Sequence, residues 1–342
     1  MEMNGRKKMI LGLVVESYIQ TGEPVGSKAI ASMLGLSVSS ATIRNELADL
    51  EELGYLEQPY TSAGRIPTHR GYRLYVDDIM HKYMLSPSEM AKIDQLLSLH
   101  YRDLESILEQ AGTVLSEITN CVALSTSPVS NDISILRLDL IPASSHSALI
   151  VLLTSNGLVK SRLARCEGIL LAQHMELFVR LCNEKLTGLP IASITPQSIT
   201  ILAKEFGSFA ILLSPLLDCL VALILELMEN EVFLDGQSHL FDEFEPLIAR
   251  DILKFLSSRT ELSQLLRFPY HNTKILIGSE NEVLPLQKLS LIITPYRLQG
   301  KIAGMVGLIA PTRTNYPRML SNIDYFANQL GRILEGYFGE YE

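Results

Sequence analysis

The sequence predicts a multidomain α+β protein that opens with a winged helix-turn-helix. Three observations lead there. Between Gly22 and Thr68, helix-, turn- and strand-forming stretches follow one another in the order such a module needs. From Asp132 onward, β-rich runs and helical runs replace a purely helical pattern. The 342 residues, 47% of them hydrophobic, suffice for two or three buried cores.

The first residues, MEMNGRKKMILGLVV, are basic and then apolar, like a leader. Glu16 follows at once and no small-residue cleavage site is clear, so an amphipathic helix is expected. Pro24 stops it. Ser27 can cap a short helix through Met33, and Gly35 suits the left-handed residue that ends one. Ser37–Ser40 form a polar turn, with Ser39 or Ser40 capping a helix from about Ala41 to Leu53 that stops at Gly54. Ile43, Leu47 and Leu50 make its buried stripe. Tyr55–Glu57 read as a strand, Gln58–Ala63 as a turn, and Gly64-Arg65-Ile66 as the returning strand.

Thr42, Arg44 and Asn45 lie off the stripe, near the start of that helix. Recognition helices present their N-terminal residues to base edges, Arg pairing with guanine and Asn with adenine. The expected DNA contacts are Lys28, Ser39, Ser40, Thr42, Arg44 and Asn45, joined by Thr61, Ser62 and Arg65 on the wing. The competing reading is a plain helical hairpin in a core; the wing in the expected place favours DNA. Charge adds a condition. Residues 1–75 carry eight of the 29 basic and eight of the 38 acidic residues, so the net −9 lies wholly in 76–342. A neutral reader on an acidic body binds non-specific DNA weakly, and placed contacts and paired modules must supply the affinity. The carboxylates from Glu46 to Glu52 fall late in the helix, where they can face away from phosphate.

Thr68 can cap a helix through about Tyr83 with Tyr72, Tyr75, Val76 and Ile79 as its stripe. Arg70 and Arg73 near its start either touch a DNA backbone or are solvated. Ser86, Pro87 and Glu89 form a capping box opening a long amphipathic helix from Ile93 to Ile118, a spacer. Strands are expected at Ile133–Leu140, Ser147–Thr154 and Leu158–Ala164, then at Thr273–Ile277, Leu289–Tyr296 and Ile302–Ala310, with a last helix at Tyr316–Tyr337. That order suggests one α+β domain interrupted by a helical insertion, about Ala172 to Phe244.

Phe209–Leu227 approaches a membrane span in length and apolarity. Ser214-Pro215 reads as a helix start, Asp218 would be costly in hydrocarbon, and no basic flank follows. A helix from Ser214 that is apolar on most faces is expected instead, with Leu216, Leu217, Leu220, Val221 and Ile224 meeting a second subunit; burial within one core is the alternative. The four cysteines are far apart and read as reduced thiols. None of the seven histidines has metal-ligand spacing, and no phosphate loop, nucleophile elbow or facing carboxylate pair stands out, so neither enzyme nor metal site is expected.

The run TGEPVGSKAIA, then VSSATIRNELADLEELGYLEQPYTSAGRIPTHRGYRLYVD, resembles the heat-inducible transcription repressor family, HrcA. So do LIPASSHSALIVLLTSNGLV, VFLDGQSHLF and IGSEN with GLIAPTRTNYPRML. The resemblance implies a bacterial, cytoplasmic and nucleoid-associated repressor of chaperone operons. It implies a homodimer on an inverted-repeat operator in double-stranded DNA, the chaperonin as a partner, and no cofactor or membrane. It also implies a winged helix (1–84), a helical linker (85–130), a GAF-like domain (131–171 with 245–342) and an inserted dimerisation domain (172–244). A ligand-sensing regulator acting through the GAF-like domain is the alternative, and a membrane-associated regulator the third.

Overall fold

The protein is described by a computed structural model at residues 3–35, 39–98, 103–128, 133–155, 157–228, 231–266 and 271–339. It is a mixed α+β chain. Helix α1, Gly5–Thr21, is capped by Asn4, whose Oδ1 accepts the Lys7 N–H at 2.9 Å, and it stops at Gly22 in the left-handed region. Ile10, Leu11, Val14 and Val15 line its buried face. α2 (Ser27–Met33) begins one residue earlier than expected: Ser27 is its first residue and Gly26 its cap. α3 follows at Ser40–Glu52. Strands β1 (Leu56–Glu57) and β2 (Ile66–Pro67) pair antiparallel, Leu56 opposite Pro67 and Glu57 opposite Ile66. α4 (His69–Leu74) runs into a π-helical turn, Tyr75–Ile79. It ends there and not at Tyr83, because His81–Met84 are all exposed and offer no stripe to bury.

α5 (Pro87–Leu97) carries the expected capping box. The spacer is two helices, since α6 is a separate element at Leu104–Thr119. Asp103 Oδ1 accepts the Ser106 N–H at 2.7 Å, a helix-start signal inside an otherwise continuous apolar pattern. β3, Val122–Thr126, was expected to belong to the helical linker; all five of its residues are buried. β4 (Ile135–Ser144), β5 (Ser147–Thr154) and β6 (Val159–Arg165) form a three-stranded antiparallel meander. α7 (Ala172–Leu186), α8 (Pro196–Glu205) and α9 (Ala210–Met228) come next. Then follow β7 (Val232–Asp235), α10 (His239–Glu243), α11 (Pro246–Leu256), α12 (Arg259–Leu266), β8 (Lys274–Ile277), β9 (Leu289–Leu298), β10 (Lys301–Pro311) and α13 (Tyr316–Gly339).

The strands form two larger sheets. The five-stranded one has the order β7-β3-β10-β9-β8, and β4-β5-β6 stand by themselves. The strands expected at 131–171 therefore do not join those of 245–342 in one sheet. β3 and β7 take the remaining places, and residues 127–231 leave and re-enter between these two neighbours. Ser127 and Glu231 tie the two ends: the Ser127 N–H donates to the Glu231 carbonyl at 2.8 Å, and the Glu231 N–H to Ser127 Oγ at 3.0 Å.

The chain divides into two compact units. The first comprises Met1–His100, Leu108–Ser125 and Phe233–Ile333; the second comprises Tyr101–Ile107, Thr126–Val232 and Leu334–Glu342. In the first, the N-terminal helices share one core with the sheet. Ile10, Leu11, Ile30, Ile43, Leu50 and Tyr72 belong to the same buried cluster as Ile277 and Tyr316. In the second, Ala148, Ile150 and Leu152 on one face of β5 are covered by α7 and α9.

That packing corrects the expected dimer contacts. Leu216, Leu217, Leu220 and Ile224 are buried among residues of their own unit, and Val221 is half-exposed. Their stripe fits the inner face of the meander, which an apolar helix covers within one chain. The helix also starts before Ser214: Pro215 lies inside α9. Proline cannot donate to the carbonyl of Ile211, one turn back. The Ser214 hydroxyl donates to that carbonyl at 3.0 Å instead, and Ile211 is exposed to water. The stretch Gly207–Leu227 is long and apolar enough to cross a membrane, yet one side of it packs in this core.

Candidate nucleic-acid interface

α3 is fixed at its start by Ser39, whose Oγ accepts the Thr42 N–H at 3.1 Å and lies 2.9 Å from Thr42 Oγ1. Gly35, with φ of 74°, ends α2, and Ser37 lies outside the described residues. Ile43, Leu47 and Leu50 are buried as the stripe requires. Burying each such side chain is worth about 1.5–3 kcal/mol, enough to hold the helix in one rotation. That rotation leaves Ser40, Ala41, Arg44, Asn45 and Ala48 exposed on the opposite face, with Ser39 exposed just before them and Thr42 half-exposed beside them.

The hairpin is built against the segment before α2. Val25 and Arg65 exchange two backbone hydrogen bonds of 2.9 Å. A Cβ on Gly64 would lie 2.4 Å from the Val25 carbonyl carbon, so only glycine fits there. Gln58 Nε2 donates to the carbonyls of Thr61 and Ala63, both at 3.0 Å, and organises the tip. Thr61 and Ser62 are exposed there beside Tyr60, which sequence reasoning overlooked although an exposed aromatic at a polar turn is a signal.

Electrostatics separate the head's charges. Glu46 lies 4.0 Å from Arg6, Asp49 2.9 Å from Lys7, and Glu51 2.7 Å from Arg65. Glu46, Asp49 and Glu51 are thus turned towards Arg6 and Lys7 of α1 and towards Arg65 just before β2, away from the exposed start of α3. The same pairs occupy the cations. Arg65, expected at a DNA backbone or minor groove, is instead folded onto Glu51 with its side chain 19% exposed. Lys8 pairs with Asp78 at 2.8 Å. Among the described residues, no ion pair engages Lys28 or Arg44, and both are exposed. Lys28 lies at the start of α2 and Arg44 near the start of α3.

Arg70 and Arg73 are held by contacts within the chain. Arg70 Nη1 donates to the carbonyl of Leu53 at 3.1 Å, with its guanidinium carbon 4.7 Å from the Tyr55 ring centroid. Arg73 binds Glu280 and Asp77, and the contacts to Glu280 raise its pKa. Beside this pair an open cavity of about 460 Å³ is lined by Arg73, Asp77, Thr273, Lys274, Ile275 and Glu280, among others. Among the described residues, no three His, Cys, Asp or Glu side chains gather as a metal site.

A family model, HrcA protein C terminal domain, matches residues 105–320. Heat-inducible transcription repressor HrcA of Acetivibrio thermocellus is 34% identical over 346 residues, covering 99% of both chains. The protein of the same name from Caldanaerobacter subterraneus subsp. tengcongensis is also 34% identical, with the same coverage. A crystal structure described as a hypothetical protein at 2.2 Å resolution is 26% identical, covers 98% of this chain and 99% of its own, and superposes with a TM-score of 0.63. The match extends over the head with its exposed Arg44 and over the five-stranded sheet alike, and the chain belongs to the HrcA family of heat-inducible transcription repressors.

Proposed function

We propose that this chain is a DNA-binding repressor of heat-shock genes, and that α2, α3 and the β1–β2 hairpin form a winged helix reading its operator. The observation that carries the reading is the exposed start of α3, where Arg44 and Asn45 stand clear of every carboxylate of their own helix. Arg44 reads guanine and Asn45 adenine in the major groove, Lys28 and the serines at the α3 cap contact phosphate, and the exposed tip at Thr61 and Ser62 reaches the flanking backbone. Arg65 holds the hairpin to α3 and does not itself touch DNA.

The operator is an inverted repeat bound by a homodimer in the bacterial cytoplasm, at the nucleoid. Since the α9 stripe serves its own core, the dimer uses the outer face of the meander. Ile141, Val159 and Leu163 are about half-exposed or more there, flanking the partly buried Leu149, Val151 and Leu153. The five-stranded sheet with its helices is GAF-like. Chaperonin dependence accompanies the family reading.

A second reading, a small-molecule sensor, rests on the cavity beside Arg73 and Glu280. The decisive experiment is binding of the full chain to a duplex carrying the inverted repeat of a chaperone-operon promoter, against a scrambled duplex at the same salt. Equal affinity for the two duplexes would reject the repressor reading. A metabolite that changes that affinity would favour the sensor.

A further inference from the structure

Among the described residues β8 is the last strand of its sheet, and no described strand lies along its other side. An open edge presents N–H and C=O groups that need partners. Here one ion pair supplies two of them. Arg73 Nη2 donates to the Ile275 carbonyl at 2.6 Å, and a Glu280 oxygen accepts the Ile277 N–H at 2.8 Å. The two side chains also bind each other: Arg73 Nε donates to Glu280 Oε1 at 2.8 Å, and Arg73 Nη2 meets Glu280 Oε2 in a second contact. One helical turn earlier, His69 Nδ1 accepts the Ser279 N–H at 3.1 Å, and its ring lies where a Cβ on Gly278 would be, 2.4 Å away.

The other side of α4 grips the end of α3. A Cβ on Gly71 would lie 2.1 Å from the Tyr55 carbonyl oxygen, and Arg70 binds the Leu53 carbonyl. α4 is therefore a short lever held between the end of α3 and the edge of the sheet.

We propose that the Arg73–Glu280 pair is a latch that couples the position of α3 to closure of the β8 edge. When it is shut, the Ile275 carbonyl and the Ile277 N–H are satisfied and α3 is held still relative to the sheet of its own unit. When it opens, the edge and α3 are released together. Holding α3 still is preorganisation, which favours binding at two half-sites together. That last consequence rests on the DNA reading proposed above; the coupling itself does not.

The test uses the full chain as wild type, Arg73→Glu, Glu280→Arg and the double swap, with Glu280→Gln as a mild variant and circular dichroism as the check on folding. Amide exchange is followed at Ile277 on the edge and at Tyr55, whose N–H bonds the Leu50 carbonyl of α3. Operator affinity is measured beside it at fixed salt. Each single change is expected to speed exchange at both amides by about tenfold and to weaken operator binding by about as much, with the swap restoring a good part of each. Unchanged exchange at Ile277, or faster exchange there with Tyr55 unaffected, overturns the latch. So does stronger or equal operator binding by the single variants. If the wild type binds no operator, the DNA reading fails, and the two amides alone decide on the latch.

Discussion

Arg65 lies 2.7 Å from Glu51 and ties the β1–β2 hairpin back to the later half of α3. The pair fixes the hairpin relative to the helix that it flanks, and it turns inward a cation that the sequence offers to the proposed DNA-reading surface. Glu51→Gln is therefore expected to free Arg65. Non-specific duplex binding should tighten, and the slope of log affinity against log salt should steepen by about one unit. An unchanged slope would mean that Arg65 already reaches phosphate in the complex.

At the start of α3 the expected losses differ in kind. Arg44→Ala and Asn45→Ala should each reduce discrimination between operator and scrambled duplex by about 1–3 kcal/mol. Lys28→Ala should weaken both duplexes alike and lower the salt slope by about one. Titration of both duplexes at several salt concentrations separates these outcomes. Full discrimination retained by Arg44→Ala would remove that residue from the reading surface.

Gly64 and Gly71 are places where the backbone of one element touches another. Alanine at Gly71 would put its Cβ 2.1 Å from the Tyr55 carbonyl oxygen, and at Gly64 2.4 Å from the Val25 carbonyl carbon. Each change should cost on the order of 1–3 kcal/mol or more, because the atom that must yield is backbone. Thermal unfolding of the full chain reads it; Gly5→Ala, with nothing within 4 Å of its Cβ, is the control.

The insert allows a contrast between core and interface. Leu220 is fully buried, so Leu220→Ala should cost about 2–5 kcal/mol of stability while the folded fraction keeps its oligomeric state. Leu163→Asp, on the exposed face of the meander, should leave the fold intact and shift the chain towards monomer in sedimentation. The opposite pattern would return the interface to α9.

Acid should open the contact between α4 and the sheet. Burial pushes the Glu280 carboxyl upward, but hydrogen bonds from Arg73 and the Ile277 N–H outweigh it and leave its pKa below the usual carboxylate value. A depressed pKa contributes stability above the ordinary carboxylate range, near 4.3 in the unfolded chain, and loses it as the pH falls through the folded value. Exchange at Ile277, corrected for its intrinsic pH dependence, should be flat from neutral pH to about pH 5 and rise only in stronger acid. Glu280→Gln should abolish that acid step.

The head was legible because its signals are local. The α3 stripe, the Ser39 cap, Gly35 and the Ser86–Glu89 box each act within a few residues, and sequence spacing records them directly. The division of the strands was not. β3 lies next to β7 in the sheet but residues 127–231 separate them in the chain, and nothing near Val122 records that partner. Likewise the apolar faces of α9 announce burial without saying whether the cover is a second subunit or the chain's own meander. Arg65 misleads for the same reason, since its partner Glu51 lies on α3, outside the hairpin.

The tie between Ser127 and Glu231 bears on how this chain folds. Two neighbouring strands, β3 and β7, cannot pair until more than a hundred residues between them have been looped back, and closing so long a loop is slow. The insert, whose meander is made of sequence-local hairpins, can form first and bring Ser127 and Glu231 together, turning a long closure into a short one. An early-folding insert that delivers both strands to a late-folding sheet leaves β10, the neighbour of β3, waiting with an open edge meanwhile. Heat that melts the insert would remove this guide from every refolding attempt, and recovery after heating would then be limited by the insert rather than by the head.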